Sequence, residues 1–399
     1  MIPAESTVSN PALNLPDPSN DAKAASRELS VCIAASIHTA GDWLPFVDYM
    51  DMALHLPGRG YYAGGSIKFG AAGDFVTAPE LTPLFGQALA PQVAQVLDAC
   101  AATPSPTFVL EVGAGSGRLA ADLLLALEGL DRLPERYAIL ELSGELRARQ
   151  QQTIEAAAPH LVPCVVWLDA LPEHFTGCVV ANELLDALPT HAVAWRESGL
   201  MERGVVLTEA GFDWAERPAH GLLATAMASL PVVTTPFVSE VSLASRHWVS
   251  EWGHRLVQGA LLLIDYGLPR HELYHPQRNH GTLRCHYRQR AHDHPFWWPG
   301  LSDITSHVDF TAVAEAGFEA GLDVLGYTSQ SSFLINCGLG ELLMARQQAG
   351  GEQALHANGA VQTLIAPGEM GELFKVIALG RGIEFPLRGF TRGDRRHAL

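Results

Sequence analysis

Residues 108–124 read FVLEVGAGSGRLAADLL. A short apolar run carries Glu111, glycines follow at 113, 115 and 117, and apolar residues at helical spacing begin at Leu119. Glycines set between a strand and a helix let a small ligand lie against bare backbone. A dinucleotide fingerprint needs G-x-G-x-x-G, but Arg118 stands where its third glycine belongs. A phosphate-binding P-loop is excluded too, because no Gly-Lys-Ser/Thr follows. What remains is E-x-G-x-G-x-G after a buried strand, with a ligand-free tight turn as the alternative.

This pattern resembles motif I of the class I methyltransferases, which use S-adenosylmethionine. That ligand has no pyrophosphate, so the turn need only admit its amino-acid part and ribose, with Glu111 meeting the ammonium directly or through water. The next strands agree. YAILEL ends in Glu141, followed by Leu142, where a carboxylate would accept both ribose hydroxyls. VVWL runs into Asp169 and Ala170, where such enzymes hold the adenine amino group. Capping of a following helix is the other reading of Asp169. The expected cofactor is S-adenosyl-L-methionine, held by Glu111, Gly113, Ala114, Gly115, Gly117, Glu141, Leu142, Asp169 and Ala170.

The fourth strand ends in ANELLDALP, residues 181–189. In this fold that strand end faces the transferred methyl, which makes Asn182, Glu183 and Asp186 candidate catalytic residues. Two carboxylates suit a cationic acceptor such as a guanidinium, which is planar, always charged and held bidentately. They would orient the attacking nitrogen, which is positioning more than base catalysis. Local pairing of Glu183 and helix capping by Asp186 are the structural alternatives. Asp265 and Tyr266 in LLIDYG, and Asp74, Thr77, Pro79 and Glu80 in GDFVTAPE, add substrate-side candidates, while Tyr61 and Tyr62 offer aromatic walls for a cation. Asp265 and Tyr62 join the catalytic set. His271 and His275 lie between prolines without an acid at ligand spacing, so no metal is expected.

The bulk of the chain fits an enzyme of this kind. Its 399 residues exceed one ordinary domain, and 48% hydrophobic against 17% charged residues allow a large core. A net charge of -17 argues against nucleic acid. Six cysteines without a C-x-x-C pair suggest reduced thiols, and the apolar runs are too short to span a membrane. The N-terminus has neither a secretory pattern nor an arginine before Arg27, so neither a secretory signal nor a transit peptide is expected.

Short buried strands alternating with helices predict a doubly wound α/β sheet. Residues 1–24 read as a flexible arm and 25–101 as an N-terminal helical and loop region covering the site. The methyltransferase core is expected at 102–190, 256–267 and 304–384. It is interrupted by an antiparallel and helical insert at 191–255, with a meander turning at Gly199 and Gly211, and by a His-, Arg-, Pro- and Trp-rich substrate-side insert at 268–303. Residues 385–399 read as a solvated basic tail.

Across 35–380, the stretches GYY, GDFVTAPELTPLFGQ, LEVGAGSGRLAADLL, ILELS, ANELLDALP, LLIDYG, GTLRCHYRQRAHDHPFWWPG, DITSHVDF and GEMGELFKVIALG resemble the MidA family. That family includes the mitochondrial assembly factor for respiratory complex I, and the expected lack of a transit peptide makes this chain resemble a bacterial, cytoplasmic member. The resemblance implies symmetric dimethylation of an arginine in a 49-kDa-type NADH dehydrogenase subunit, or methylation of another protein. The family often has Pro for Ala114, Arg for Ser116 and a Pro where this chain has Gly144, departures that leave the acids intact. The rivals are a methyltransferase for a small cationic or phenolic molecule, and a scaffold without turnover, which would have no reason to keep Glu111, Glu141, Glu183 and Asp186.

Overall fold

The computed structural model describes residues 15–63, 77–101, 106–232, 234–350 and 352–399. The chain divides into two compact units, each assembled from three separate stretches.

The larger unit comprises Val76–Leu185, Arg246–Pro269 and Phe310–Leu399. Its strands are β1 (Phe108–Val112), β2 (Arg136–Leu140), β3 (Val165–Leu168), β4 (Phe175–Asn182), β5 (Leu256–Leu268), β6 (Asp323–Ser329) and β7 (Phe374–Arg381). They lie side by side in the order β6-β7-β5-β4-β1-β2-β3. The five from β5 to β3 are parallel, and β7 runs antiparallel to both β5 and β6. The order reverses between β1 and β4, and open sheets of this type bind ligands at the carboxyl ends of the strands flanking such a reversal.

Alternate strand residues serve opposite faces. Val109, Ile139, Val180, Leu262 and Val376 join one core with the helices α1 (Ala78–Leu81), α2 (Leu84–Cys100) and α3 (Arg118–Gly129). On the other face, Gly317 of α5 (Phe310–Glu319) lies so close to Leu379 that a Cβ would sit 2.8 Å from its Cδ1. Sheets covered on both faces need nearly continuous apolar strands, and β4 is buried along almost its whole length. Burial of each Val or Leu side chain there stabilises the fold by roughly 1.5–3 kcal/mol. The helix α4 (Gly144–Ala157) starts at Ser143, whose Oγ accepts from Leu146 N.

The smaller unit comprises Met1–Phe75, Asp186–Ser245 and Arg270–Asp309. The strands His191–Arg196, Gly199–Thr208 and Gly211–Pro218 form the expected meander, and Phe237–Val241 pairs with the first of them. Helices Asn20–Thr39 and Phe46–His55 contribute Leu29, Ile33, Phe46 and Tyr49 to a core shared with Ala192, Val205, Cys285 and Ile304. The 268–303 stretch supplies the antiparallel strands Arg284–Tyr287 and Arg290–His292, and Asp303–Thr305 pairs with the first of them.

Several boundaries differ from the sequence expectation. The first helix starts at Asn20, inside the expected arm, whose first 14 residues lie outside the described ones. Helix α2 belongs with the large unit, because its buried face packs into the β-sheet core. Residues 246–255 belong there too, and 304–309 fall in the small unit. The tail is packed, not solvated. Phe390 meets Phe333 edge-on with ring centroids 5.3 Å apart, Leu387 is buried, and Arg395 pairs with Glu372.

Candidate functional site

The glycine turn links β1 to α3 with Gly113, Gly115 and Gly117 all at positive φ (73°, 52° and 82°). A Cβ on Gly117 would lie 2.8 Å from the Gln150 Cα, so a close approach of α4 enforces glycine there as well as the backbone conformation. Ala114 is buried in the turn. Glu111 is buried and accepts a 2.6 Å bond from the Tyr137 hydroxyl. Burial raises its carboxyl to about 7, against the opposing effect of the Tyr137 bond.

Glu141 follows β2. Its Oε1 accepts from Ser143 N at 2.9 Å and its Oε2 from Gln150 Nε2 at 3.1 Å. Burial raises its carboxyl pKa, and these hydrogen bonds oppose the rise. Leu142 beside it is 79% exposed, an apolar surface at the carboxyl edge of the sheet. After β3, Asp169 pairs with Arg147 Nη2 at 2.7 Å, and the same nitrogen donates to Leu168 O while Arg147 Nε donates to Glu141 O. No helix follows Asp169. Residues 169–174 cross directly to β4, which removes the capping alternative, and Ala170 lies exposed in this crossover.

Across the reversal point, β4 ends at Asn182. Glu183 takes a left-handed backbone (φ 53°), its N–H donates to Ile264 O at 2.9 Å, and the Asn182 amide donates to its Oε1 at 3.1 Å. A left-handed glutamate is uncommon, and such backbone persists where surrounding contacts impose it. Those contacts come from Asp265, expected as a catalytic residue. Its Oδ2 accepts from Leu184 N and Leu185 N at 3.1 and 2.7 Å, and its Oδ1 from Tyr266 N at 2.8 Å. Asp265 is 1% exposed, and these bonds tie its carboxylate to the turn that Glu183 begins. Asn182 Oδ1 is buried and has no hydrogen-bond partner among the described residues. The two turns are neighbours, since a Cβ on Gly113 would meet Leu184 Cδ1 at 3.4 Å.

The TAPE segment reaches this edge differently from the expectation. Thr77 precedes α1, Pro79 lies buried in its first turn, and Glu80 accepts a hydrogen bond from the Ser116 hydroxyl in the glycine turn. Asp74 lies outside the described residues.

Asp186 and Tyr62 belong to the small unit. Asp186 is buried in a turn with no helix to cap, and its carbonyl accepts from Ser306 N at 3.0 Å. The Tyr62 hydroxyl donates to Asp303 Oδ1 at 2.8 Å, and its ring stacks on His55 at 5.6 Å. Burial, followed by the Asp303 charge, holds this phenol well above its ordinary pKa, so it stays a neutral donor. Tyr61 is 1% exposed and edge-on to Tyr62 at 5.1 Å, so it presents no open wall to a cation.

Sequence reasoning missed Gln150, Arg147, Tyr137 and Asp303. Gln150 and Arg147 share one side of α4, but nothing in QQQ or RAR marks which polar residue turns inward. Among the described residues, no group of three or more His, Cys, Asp or Glu could hold a metal ion, and no helix is long and apolar enough to cross a membrane.

The donor set fits S-adenosylmethionine. Left-handed glycines offer bare backbone, one acid lies near the end of β1 and another just after β2, an exposed leucine lies beside the second, and the asparagine amide across the reversal point keeps an uncommitted buried oxygen. Known proteins agree. Residues 88–328 match the family described as "Putative S-adenosyl-L-methionine-dependent methyltransferase". A Burkholderia thailandensis crystal structure with S-adenosyl-homocysteine bound superposes with a TM-score of 0.92 at 51% identity, covering 96% of this chain and 100% of that one. A native structure from the same organism gives 0.90 at 50% identity with the same coverage. Two curated relatives are called protein arginine methyltransferases. The Mus musculus NDUFAF7 is 28% identical (83% of this chain, 80% of the relative), and the Drosophila melanogaster homologue is 26% identical (96% and 92%). The fold is that of class I, Rossmann-like methyltransferases, the cofactor is S-adenosyl-L-methionine, and the chain belongs to the MidA-like family of methyltransferases that use it.

Proposed function

We propose that this enzyme methylates an arginine side chain of a protein, giving symmetric dimethylarginine, with a 49-kDa-type NADH dehydrogenase subunit as the acceptor. The carrying observation is the Glu183 carboxylate, held at the end of β4 by an imposed left-handed turn beside the glycine turn. A fixed anion there suits a guanidinium, which carboxylates bind by charge-assisted, bidentate hydrogen bonds. The names of the mouse and fly relatives support an arginine acceptor.

Bound S-adenosylmethionine would supply a methyl group on a positively charged sulfur. The chain's own work is then alignment. Glu183 would grip the guanidinium and set its nitrogen lone pair in line with the methyl, while the Asn182 amide fixes Glu183. Glu141 would accept from the ribose hydroxyls, Leu142 would cover the adenine, and Asp169 with Ala170 would lie at its amino group. Glu111 and the turn through Gly113, Ala114 and Gly115 would receive the amino-acid part.

Glu183→Gln keeps shape and hydrogen bonding but removes the charge. Methyl transfer to an arginine-bearing protein should fall by about 2–5 kcal/mol, roughly 30- to 4,000-fold. Calorimetry should find S-adenosyl-homocysteine affinity nearly unchanged. Full activity of the variant ends the guanidinium reading, and lost cofactor affinity moves Glu183 into the cofactor shell. Mass spectrometry of proteins from cells with and without the gene identifies the acceptor and the dimethylation pattern.

A further inference from the structure

Gln150 lies on α4, outside every motif of the chain, and is 0% exposed. Its Nε2 donates to Gly115 O at 3.2 Å and to Glu141 Oε2 at 3.1 Å, while its Oε1 accepts from Trp167 Nε1 at 3.0 Å. One amide thus joins the glycine turn after β1, the carboxylate after β2 and the indole on β3. Both of its N–H groups face acceptors and its oxygen faces a donor, so the reversed amide would oppose like groups at all three contacts. The main chain is fixed at the same point, because Gly117 has no side chain to hold it off the Gln150 Cα.

We propose that Gln150 is a positioning residue for the cofactor, orienting the Glu141 carboxylate toward the ribose hydroxyls and locking it to the glycine turn. This inference rests on the reading of Glu141 as the ribose acceptor. Ser143 N–H and Gln150 each engage one carboxylate oxygen and leave acceptor capacity for a ligand diol. Without the Gln150 bond, the carboxylate would lose its fixed angle, so the ribose hydroxyls would meet a mobile acceptor.

The test uses calorimetry with two probes, S-adenosyl-homocysteine and an analogue lacking both ribose hydroxyls. Wild type should prefer the full ligand by roughly 10- to 150-fold, the scale of hydrogen bonds to a charged group. Gln150→Met keeps the length without polar atoms. Gln150→Leu, shorter and likewise without donors, is a second variant should the first fold poorly. Each should shrink the preference to about threefold or less, with affinity for the hydroxyl-free analogue nearly unchanged. A variant that keeps the full preference overturns the inference. So does one that weakens both ligands equally, since that is a purely structural defect. Wild type that fails to distinguish the probes instead overturns the reading of Glu141.

Discussion

Glu111 shows how much one residue's surroundings change its chemistry. The acid near the end of a buried strand is visible in the sequence, but the Tyr137 hydroxyl against it and the burial of both are not. Burial moves its carboxyl from an ordinary 4.5 to about 7. The folded chain therefore keeps a proton that the unfolded chain has lost, and stability falls as pH rises from about 4.5 through 7. The whole change corresponds to roughly 3 kcal/mol. Glu111→Gln retains an acceptor for Tyr137 and removes the titration. Urea unfolding of the ligand-free protein between pH 5 and 9 should show wild type losing stability relative to the variant as pH rises. A difference that stays constant over this range would refute the assignment.

Strands and helices were legible wherever their period repeated. VLEV, VVWL and CVVAN form strands, and YAILEL does so as far as Leu140, because short apolar runs bounded by turn residues suit a sheet covered on both faces. The crossover from β3 to β4 was not legible as a helix-free link, since an acid after a strand reads equally as a cap. Nor was the function of the LLIDYG strand end, because the backbone N–H groups that Asp265 holds lie 80 and 81 residues away. Asp265→Asn places an amide against N–H donors and should release the Glu183 turn. Methyl transfer should drop by about 1.5–3 kcal/mol, roughly 10- to 150-fold. Cofactor affinity, read by calorimetry, should change little. Unchanged activity would remove Asp265 from the positioning role.

At the scale of the molecule, the chain builds two units from interleaved stretches. The large unit closes with its last residues. The Phe390 ring lies over β6 at Gly326, where a Cβ would sit 2.2 Å from its Cγ, and meets Phe333 of the helix Gln330–Asn336 edge-on. The basic composition of FPLRGFTRGDRRHAL suggested solvent, yet Arg395 N donates to Tyr327 O and its guanidinium pairs with Glu372. Phe390→Ala should cost roughly 3–5 kcal/mol, the range for deleting a buried phenylalanine, read as a lower denaturant midpoint. A loss below about 1 kcal/mol would show that the tail is not part of this unit's core.

The sequence alone determined the strand–glycine–helix turn, the acids behind successive strands and the ANELLDALP stretch. Each is a local pattern, set by turn chemistry or by periods of two and 3.6 residues. From these came the fold class and the cofactor. Only the tertiary structure decided that Glu80 bonds Ser116, that Asp265 holds the Glu183 turn, that Gln150 joins three strand ends and that the tail is core. In each case the partner lies on another element, and the same side chain has many equally good positions until packing excludes water from all but one.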